Sequence, residues 1–286
     1  MSTPAPNDAF EPHRDFLVRL AYRMLGSLAE AEDIVQDAFL RWRDVDQAGV
    51  IHPRSYLARV VSRLCLDRMR SETARREAYV GTWLPEPLVT HPGERLVDDL
   101  SLALLMTLER LSPLERAAFL MHDVFDMDYA EIAEMLGRSE AACRQLAARA
   151  REHVRQERPR FPTDDETRDR LVEAFMAAAF RGNVAALADL LTEDAVLYAD
   201  GGGKRPAAPS PIAGRANILA FFAAIAKDPR VHLAAEQMER VDINALPGFV
   251  VHAHDGVQTI AFEIAADRIS AIYVVRNPDK LRHLSS

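Results

Sequence analysis

Arginines recur in two segments of the chain at intervals that place them on one side of a helix. Arg59 and Arg63 are four residues apart, and Arg144 and Arg151 are seven apart. Residues at these intervals share a helical face. Guanidinium groups bind phosphate oxygens and base edges, so both rows could contact nucleic acid. From charge alone, two rows of solvated surface arginines remain an equal alternative.

The distribution of charge supports this chemistry better than the total does. The 286 residues carry a formal net charge of -8, which is unusual for a nucleic-acid binder. Yet residues 52–76 contain seven arginines and two acids, and residues 138–160 contain seven arginines and three acids. Two basic islands in an acidic chain indicate two separate contacts with a polyanion.

Composition and cysteine usage limit the class of protein. The chain is 49% hydrophobic and 27% charged, which is typical of globular domains, and its length predicts two or three of them. We find no signal-peptide pattern and no apolar run of about 18 residues. Cys65 and Cys143 lie in unrelated segments, which argues against a disulfide framework or a zinc knuckle. We therefore expect a cytoplasmic protein.

Residues 129–154 have the pattern of a helix-turn-helix. A short helix ends at Gly137, Ser139 can cap the next helix, and that helix has a buried face and an arginine face. The second helix of this motif can enter the major groove, so we expect Arg144 and Gln145 to reach base edges. An ordinary α-hairpin is the alternative. The predicted DNA-binding residues are Arg138, Ser139, Glu140, Arg144, Gln145, Arg149 and Arg151.

The first basic island lies on a helix that Pro53 can start. It suits a DNA backbone, including a single strand, with Tyr56 available for stacking on a base. Taken alone, a solvated arginine stripe explains this helix better than DNA binding does. The predicted DNA-binding residues are Arg54, Tyr56, Arg59, Arg63, Asp67, Arg68 and Arg70.

The preceding helix carries acidic residues around an aromatic pair, a surface that could dock a protein partner. A solvated helix face is the alternative. The predicted partner-binding residues are Asp33, Gln36, Asp37, Phe39, Arg41 and Trp42.

The residues predicted to bind DNA and a protein partner all lie in the first 160 residues, where the sequence predicts helices. The rest of the chain has a different pattern of predicted elements. Capping boxes at Ser27 to Glu30 and Ser112 to Glu115, with similar logic at Asp128 to Glu131, predict helix starts. Prolines between residues 78 and 92 predict a linker. The tail should be an α+β domain with antiparallel-type strands. Its expected helices are 165–181, 184–191 and 216–226, and its expected strands are 195–200, 231–241, 249–254, 258–265 and 269–276.

These motifs resemble those of bacterial sigma factors. Residues 32–42 (EDIVQDAFLRW) look like the helix that binds RNA polymerase. Residues 53–70 resemble the helix that binds the upstream end of the minus-ten promoter element, and the helix-turn-helix resembles the module that reads the minus-thirty-five element. Two such modules over about residues 8–158, without a middle domain, resemble the extracytoplasmic-function group. The resemblance implies binding to promoter DNA and to the polymerase core at its beta-prime clamp region, with no membrane partner.

Three further motifs resemble sigma factors fused to a SnoaL-like domain, a curved sheet with helices that make a cone. That resemblance implies a tail that controls the sigma modules in place of a separate membrane-bound anti-sigma factor. We expect the three motifs to form one contact, with Trp83 near Lys204, although a flexible turn and a stiff spacer are the alternatives. The motifs are Trp83, Leu84, Pro85, Glu86 and Pro87; Asp200, Gly201, Gly202, Gly203 and Lys204; and Asn277, Pro278, Asp279, Lys280 and Leu281.

The expected architecture is a multidomain protein. Two all-α helical sigma modules, the second with the helix-turn-helix, precede an α+β SnoaL-like cone-shaped domain. The expected boundaries are 8–77 for sigma region 2, 78–97 for the linker, 98–158 for sigma region 4 and 165–281 for the regulatory domain.

Two other functions stay open. SnoaL-like folds include isomerases and cyclases, so the tail could bind a small ligand or move a proton with Asp200, His252 or His254, although no family catalytic residue maps onto this sequence. A helix-turn-helix with a ligand-sensing tail could also act as a one-component regulator without polymerase, which leaves the first 75 residues unexplained. We expect no enzymatic activity, cofactor or metal, because residues 201–204 lack the P-loop spacing and the two histidines lack a third ligand.

Overall fold

Helices occupy one part of the chain, and a mixed sheet with three helices occupies the other. The structure, a computed structural model, describes residues 9–77, 79–91, 102–156, 164–227 and 238–284. The chain divides into two units: Met1–Ala78 with Leu104–Glu157, and Tyr79–Ala103 with Arg158–Ser286. Both expected helical modules thus share the first unit, while the linker belongs to the unit of the tail.

The first module contains α1 (Glu11–Leu25), α2 (Leu28–Arg43) and α3 (Pro53–Glu77). Gly26 ends α1 in the left-handed conformation, with φ of 71°. Ser27 then caps α2, because its side chain accepts a hydrogen bond from the Glu30 amide at 3.3 Å. Apolar residues at helical spacing fill the core between the three helices, as the sequence predicts.

The second module contains α4 (Leu102–Glu109), α5 (Pro113–Phe119), a π-helical turn (Leu120–Val124), α6 (Tyr129–Leu136) and α7 (Glu140–Gln156). The capping box of Ser112 and Glu115 is confirmed, with both reciprocal hydrogen bonds. The helix start predicted at Asp128 is confirmed, because α6 follows directly with Asp128 as its N-cap residue, but the Asp128 side chain makes no capping hydrogen bond. The helix-turn-helix formed by α6 and α7 turns at Gly137, with φ of 62°.

A buried arginine connects the two modules within the first unit. Arg116 on α5 is 1% exposed, and its guanidinium donates to the Met24 carbonyl on α1 and to the Glu109 carboxylate, both at 2.6 Å. Nearby, the rings of Phe16 and Phe125 pack edge to face with centroids 5.1 Å apart. The interface between the modules therefore buries a cation that pairs with an acid of its own module and donates to a carbonyl of the other.

The second unit is built on a seven-stranded sheet in the order β1-β4-β5-β6-β7-β2-β3. Helices α8 (Asp165–Phe180), α9 (Val184–Leu190) and α10 (Arg215–Ile225) contribute to one hydrophobic core with this sheet, around residues such as Phe175 and Phe262. The strands are β1 (Val89–Thr90), β2 (Leu191–Asp200), β3 (Ile212–Ala213), β4 (Met238–Ile243), β5 (Leu246–Ala253), β6 (Gly256–Ala265) and β7 (Arg268–Val275).

The expected fold class, two helical modules followed by an α+β domain, is confirmed. The sheet is not purely antiparallel, however, because β2 pairs with β7 in parallel. The two-residue strands β1 and β3 were missed, since strands this short have no readable alternation. Residues 231–237 of one expected strand lie outside the described residues. Among the described residues, no helix is both long and apolar enough for a membrane span.

The buried arginine gives a stability prediction. Arg116→Met should lower the free energy of unfolding of the helical unit by about 3–5 kcal/mol, because it removes the guanidinium of a largely buried ion pair, whose side chains are 1% and 15% exposed. Arg155→Met should change it by less than about 1 kcal/mol, because the pair of Arg155 with Glu152 is 78% and 54% exposed. Chemical denaturation followed by far-UV circular dichroism measures both. Equal stability of the two variants would contradict a structural role for the buried pair.

Candidate functional site

The exposed side of α7 carries most of the residues predicted to contact DNA. Glu140, Arg144, Gln145 and Arg149 are exposed, while Cys143, Ala147, Ala150 and Val154 on the opposite side are buried. Arg138 and Ser139 lie in the exposed turn, where the Ser139 hydroxyl accepts from the Ala142 amide at 3.3 Å. The turn and the first two turns of α7 thus form a continuous polar edge.

Arg151 differs from the rest of this predicted set. Its Nε atom donates to Asp123 at 2.5 Å, and its Nη atom donates to the Tyr129 hydroxyl at 2.8 Å. The hydrogen bond to Asp123 raises the pKa of Arg151. Its guanidinium is therefore engaged by its own module, which the spacing along α7 could not reveal.

The predicted minus-ten residues on α3 are also engaged inside the first unit. Arg59 forms an ion pair with Glu134 on α6, and Arg63 donates to the carbonyls of Glu134 and Met135 at 3.4 and 3.3 Å. These carbonyls end α6, where the helix dipole favours a cation. The helix-turn-helix thus contacts the centre of the row that was expected to face DNA.

The other predicted residues of α3 contact residues of their own module, on α1, α2 and α3. Arg68 pairs with Glu30 at 3.8 Å, and Arg70 pairs with Asp67 at 3.4 Å. Arg54 lies over the Phe16 ring at 4.3 Å. Tyr56 is half-buried and packs against another aromatic ring, so its ring is only partly available to a base.

The predicted polymerase-binding helix presents most of its polar residues, with one correction. Asp33, Gln36, Asp37 and Arg41 are exposed, and Phe39 is half-buried against Phe10, with ring centroids 5.1 Å apart. Trp42, expected to bind the partner, is only 1% exposed and packs against Tyr56 at 5.7 Å. It belongs to the core because it continues the buried face of α2. Leu40, at 45% exposure, was not among the predicted residues.

A buried carboxylate contacts all three motifs that resemble those of sigma factors with a SnoaL-like domain. Asp200 is 0% exposed. Its side chain accepts hydrogen bonds from the Tyr79 hydroxyl at 2.6 Å and from the amides of Leu84 and Gly202 at 2.9 Å each. The Lys280 ammonium donates to it at 2.7 Å. Linker, glycine motif and C-terminal motif thus supply donors to one charge.

Tyr79 is a member of this contact that the sequence motifs did not include. Its hydroxyl accepts from the Asn277 amide group at 2.8 Å while it donates to Asp200. Burial, together with the hydrogen bond to the Asp200 carboxylate, raises the pKa of Tyr79. Ionisation would place a second negative charge beside Asp200, so the hydroxyl is held as a donor.

The two lysines of the motifs have different partners. Lys280 lies over the rings of Trp83 and Tyr79 at 4.2 and 5.1 Å, and it also donates to the Leu84 carbonyl. Lys204 pairs instead with Asp279 at 2.5 Å, and this hydrogen bond lowers the pKa of Asp279. The cation beside Trp83 is therefore Lys280.

The glycines of the motif permit the close approach of its partners. Gly202 has φ of 59°, and a Cβ atom there would lie 2.3 Å from the Asn277 side chain. Gly203 has φ of 70°, and its Cβ atom would meet Val80 of the linker at 3.1 Å. At Gly202 both the backbone conformation and the space exclude a larger residue, whereas at Gly203 the backbone conformation disfavours one and Val80 would have to shift slightly. A flexible turn alone would need the backbone conformation of glycine but not the close approach of a neighbouring side chain.

The linker is joined to the sheet beyond this contact. The Leu88 amide donates to the Asn244 side chain at 3.1 Å, and the Asn244 amide donates to the Leu88 carbonyl at 2.9 Å. Residues 89–90 then add strand β1 to the edge of the sheet beside β4. A ring nitrogen of His283 lies 3.0 Å from the Pro87 carbonyl. These contacts join residues about 150 to 200 apart in sequence, so no local signal could have indicated them.

The environment of Asp200 argues against one of the three groups considered for an enzymatic tail. Asp200 is enclosed by four donors and has no exposed surface, so it cannot act as a base toward a substrate. His252 and His254 are exposed at the end of β5.

Comparison with known proteins defines the class to which these two units belong. The sigma-70 region 2 family matches residues 9–75, and the sigma-70 region 4 family matches residues 101–154. The matched residues cover α1 to α3 and the helix-turn-helix module. The chain is thus a sigma-70-type transcription factor with regions 2 and 4.

Similarity to individual proteins narrows this class to one group. The chain is 38% identical to the ECF RNA polymerase sigma factor SigJ of Mycobacterium tuberculosis, over 95% of this chain and 91% of SigJ. It is 36% identical to the probable ECF RNA polymerase sigma factor SigI of the same species, over 64% of this chain and 66% of SigI. The crystal structure of M. tuberculosis SigJ superposes with a TM-score of 0.79 at 34% identity, covering 96% of this chain and 98% of that one. The chain belongs to the ECF sigma factors.

The Asp200 contact gives a prediction for local opening. Asp200→Asn should accelerate hydrogen exchange of the Leu84 amide at least about a hundredfold, because breaking a buried ion pair costs about 3–5 kcal/mol. Asp279→Asn is the matched control: this residue pairs with Lys204 but is 41% exposed, so exchange should change less than about fivefold. Hydrogen–deuterium exchange with mass spectrometry on the full chain measures both. Unchanged protection in Asp200→Asn would show that the carboxylate does not hold the linker.

Proposed function

We propose that this sigma factor directs RNA polymerase to its promoters through two DNA-binding surfaces, and that its C-terminal domain regulates it in cis through the linker. The exposed polar edge of α7 carries the first part of this proposal. Arg144 and Gln145 lie near the start of a helix whose other side is packed within the helix-turn-helix. Such a helix can enter the major groove, where arginine binds guanine in bidentate fashion and glutamine binds adenine.

The proposal divides the chain into residues 8–77 as region 2, 78–97 as the linker, 98–158 as region 4 and 165–281 as the regulatory domain. Region 2 binds the beta-prime clamp region of core polymerase through the exposed side of α2. Leu40 joins the predicted residues there, since an exposed apolar side chain beside polar ones is typical of a protein interface. The protein acts in the cytoplasm, where polymerase and promoter are found.

Regulation in cis is supported by the Asp200 contact. The linker connects region 2 to region 4, and it is bound to the tail by hydrogen bonds to a buried carboxylate and by strand β1. A chain segment held in this way has few conformations, which limits how the modules on either side can be placed. A tail with this task needs no catalysis, and the enclosure of Asp200 supports a regulator over an isomerase or cyclase.

The surface of α3 must change partners before it binds DNA. By their names, the two promoter elements lie about 25 base pairs apart, which is on the order of 80 Å of duplex at about 3.4 Å per base pair. In the first unit, however, Arg59 of α3 touches Glu134 of the helix-turn-helix. Modules held in contact cannot reach both elements, so the contact opens during promoter engagement, and polymerase or DNA selects the open state.

Run-off transcription with bacterial core polymerase, on the promoter upstream of the protein's own gene, tests the function. Initiation should require this protein, and Arg144→Ala should weaken preference at one base pair by roughly 1–3 kcal/mol. Arg155→Ala, at the far end of α7, should leave every base preference in place. An unchanged preference in Arg144→Ala would remove that residue from readout. DNA binding without core-dependent initiation would favour a one-component regulator.

The contact between α3 and α6 gives a prediction for single-stranded DNA. Glu134→Gln should raise the affinity of the free protein for a labelled single strand of that promoter about two- to fivefold, because the exposed ion pair that competes with the phosphates is worth at most about 1 kcal/mol. Glu131→Gln, an exposed residue of the same helix, removes one acid without touching Arg59. Fluorescence anisotropy compares the two variants. Equal gains would assign the effect to net charge and contradict the competition.

A further inference from the structure

The ring of Tyr129 contacts two other side chains of the helix-turn-helix module. On one face, the His122 ring stacks on it with a centroid distance of 4.0 Å and an interplanar angle of 29°. The Arg144 guanidinium also lies over the ring, 5.1 Å from its centroid. Arg144 is the residue proposed to read a base, and Tyr129 is the first residue of α6. One aromatic ring therefore contacts the side chain on which promoter readout depends.

The hydroxyl of Tyr129 binds a second arginine of α7. It accepts a hydrogen bond from Arg151 at 2.8 Å, and Arg151 is fixed in turn by Asp123 at 2.5 Å. Arg144 and Arg151 are two helical turns apart, on the same edge of α7. Tyr129 thus contacts this edge at two levels, with its ring at one and its hydroxyl at the other.

The π-helical turn Leu120–Val124 supplies the groups behind Tyr129. His122 and Asp123 both come from this turn. The turn is fixed by the hydrogen bond from the Phe125 amide to the Leu120 carbonyl at 3.0 Å, and a His122 ring nitrogen lies 2.9 Å from the Met127 carbonyl. A π turn contains one more residue than an α-helical turn, so it shifts the direction of side chains, and such turns are frequent at functional sites.

Two groups of the same module hold Arg144. Besides the Tyr129 ring, the Glu140 carboxylate accepts from its guanidinium at 2.6 Å. The arginine side chain is 55% exposed, so each contact is modest, but together they restrict a long and flexible side chain to one orientation. A side chain that is already ordered loses less entropy when it binds a base, which raises the affinity for the correct sequence.

We propose that Tyr129 is a positioning residue for promoter recognition: its ring orients Arg144 toward the base that Arg144 reads, and its hydroxyl anchors Arg151. This inference rests on the proposed role of Arg144 in readout. Tyr129 acts through Arg144, so its removal should change sequence preference at one base pair and not the affinity for DNA in general. A purely structural role would instead weaken binding to every sequence alike.

A double-mutant cycle on the full chain tests this coupling. Tyr129→Leu and Tyr129→Phe are each made with Arg144 present and with Arg144→Ala, and affinity is measured on minus-thirty-five duplexes that differ at one base pair. Tyr129→Leu should reduce discrimination at the position read by Arg144 about two- to fivefold, the scale of one exposed cation–π contact. It should have no further effect on discrimination in the Arg144→Ala background. Tyr129→Phe keeps the ring and should restore the preference.

The other outcomes separate this inference from the proposed function. An equal loss of affinity on all duplexes, in both backgrounds, would overturn the positioning role and leave Arg144 as the reader. If Tyr129→Leu discriminated between the duplexes as well as the wild type does, the positioning role would also be overturned. If Arg144→Ala itself changed preference at no position, the readout by Arg144 would fail, and this inference would fail with it.

A measurement on the folded wild type guards against a variant that does not fold. The aromatic ring should shift the side-chain proton resonances of Arg144 upfield in the nuclear magnetic resonance spectrum of the full chain. This shift should persist in Tyr129→Phe. Arg144 resonances at ordinary positions in the wild type would show that the ring does not hold the guanidinium, and this result would overturn the proposal without any substitution at Tyr129.

Discussion

The organisation of the second unit depends on one buried charge. Asp200 has no exposed surface, and a carboxylate without solvent is tolerated only when donors and a cation surround it. Tyr79 and Leu84 come from the linker, Gly202 from the adjacent turn and Lys280 from the C-terminal motif. Because the loss of one partner exposes the others to an uncompensated charge, the contact should behave as all or none. A linker held in this way belongs to the fold of the tail, and the tail can control the modules that the linker joins.

The proposed DNA-binding arginines of the first unit belong to a chain with a net charge of -8, which is unfavourable for binding a polyanion. Several arginines proposed to meet DNA already have acidic partners within the chain, as Arg59 has Glu134 and Arg68 has Glu30. Phosphates must therefore replace carboxylates instead of meeting bare cations. Such an exchange lowers the gain from non-specific contacts, which are almost entirely electrostatic, and leaves a larger share of the binding free energy to base contacts.

The sequence predicted those features that depend on interactions between residues close together in the chain. The capping box at Ser112, the glycine at the turn of the helix-turn-helix and the face of α7 all depend on residues within a few positions of one another. Family resemblance indicated the three motifs around Asp200. By contrast, Tyr79, Asn244 and Glu134 act on residues 70 or more positions away. Trp42 was expected to bind the partner although its helical spacing already placed it on the buried face of α2. Parallel pairing of β2 with β7 and the π turn at Leu120 likewise have no period that a sequence window can detect.

The central claim is that the contact around Asp200 controls initiation by this sigma factor. The most direct measurement is the rate of run-off transcription by core polymerase with the full chain, compared between the wild type, Asp200→Asn and Asp279→Asn. Our account predicts a rate for Asp200→Asn that differs at least about threefold from the wild type, with Asp279→Asn close to the wild type, because only the first change removes the buried charge. Equal rates for all three proteins, with the linker shown to be released in Asp200→Asn, would contradict control through this contact.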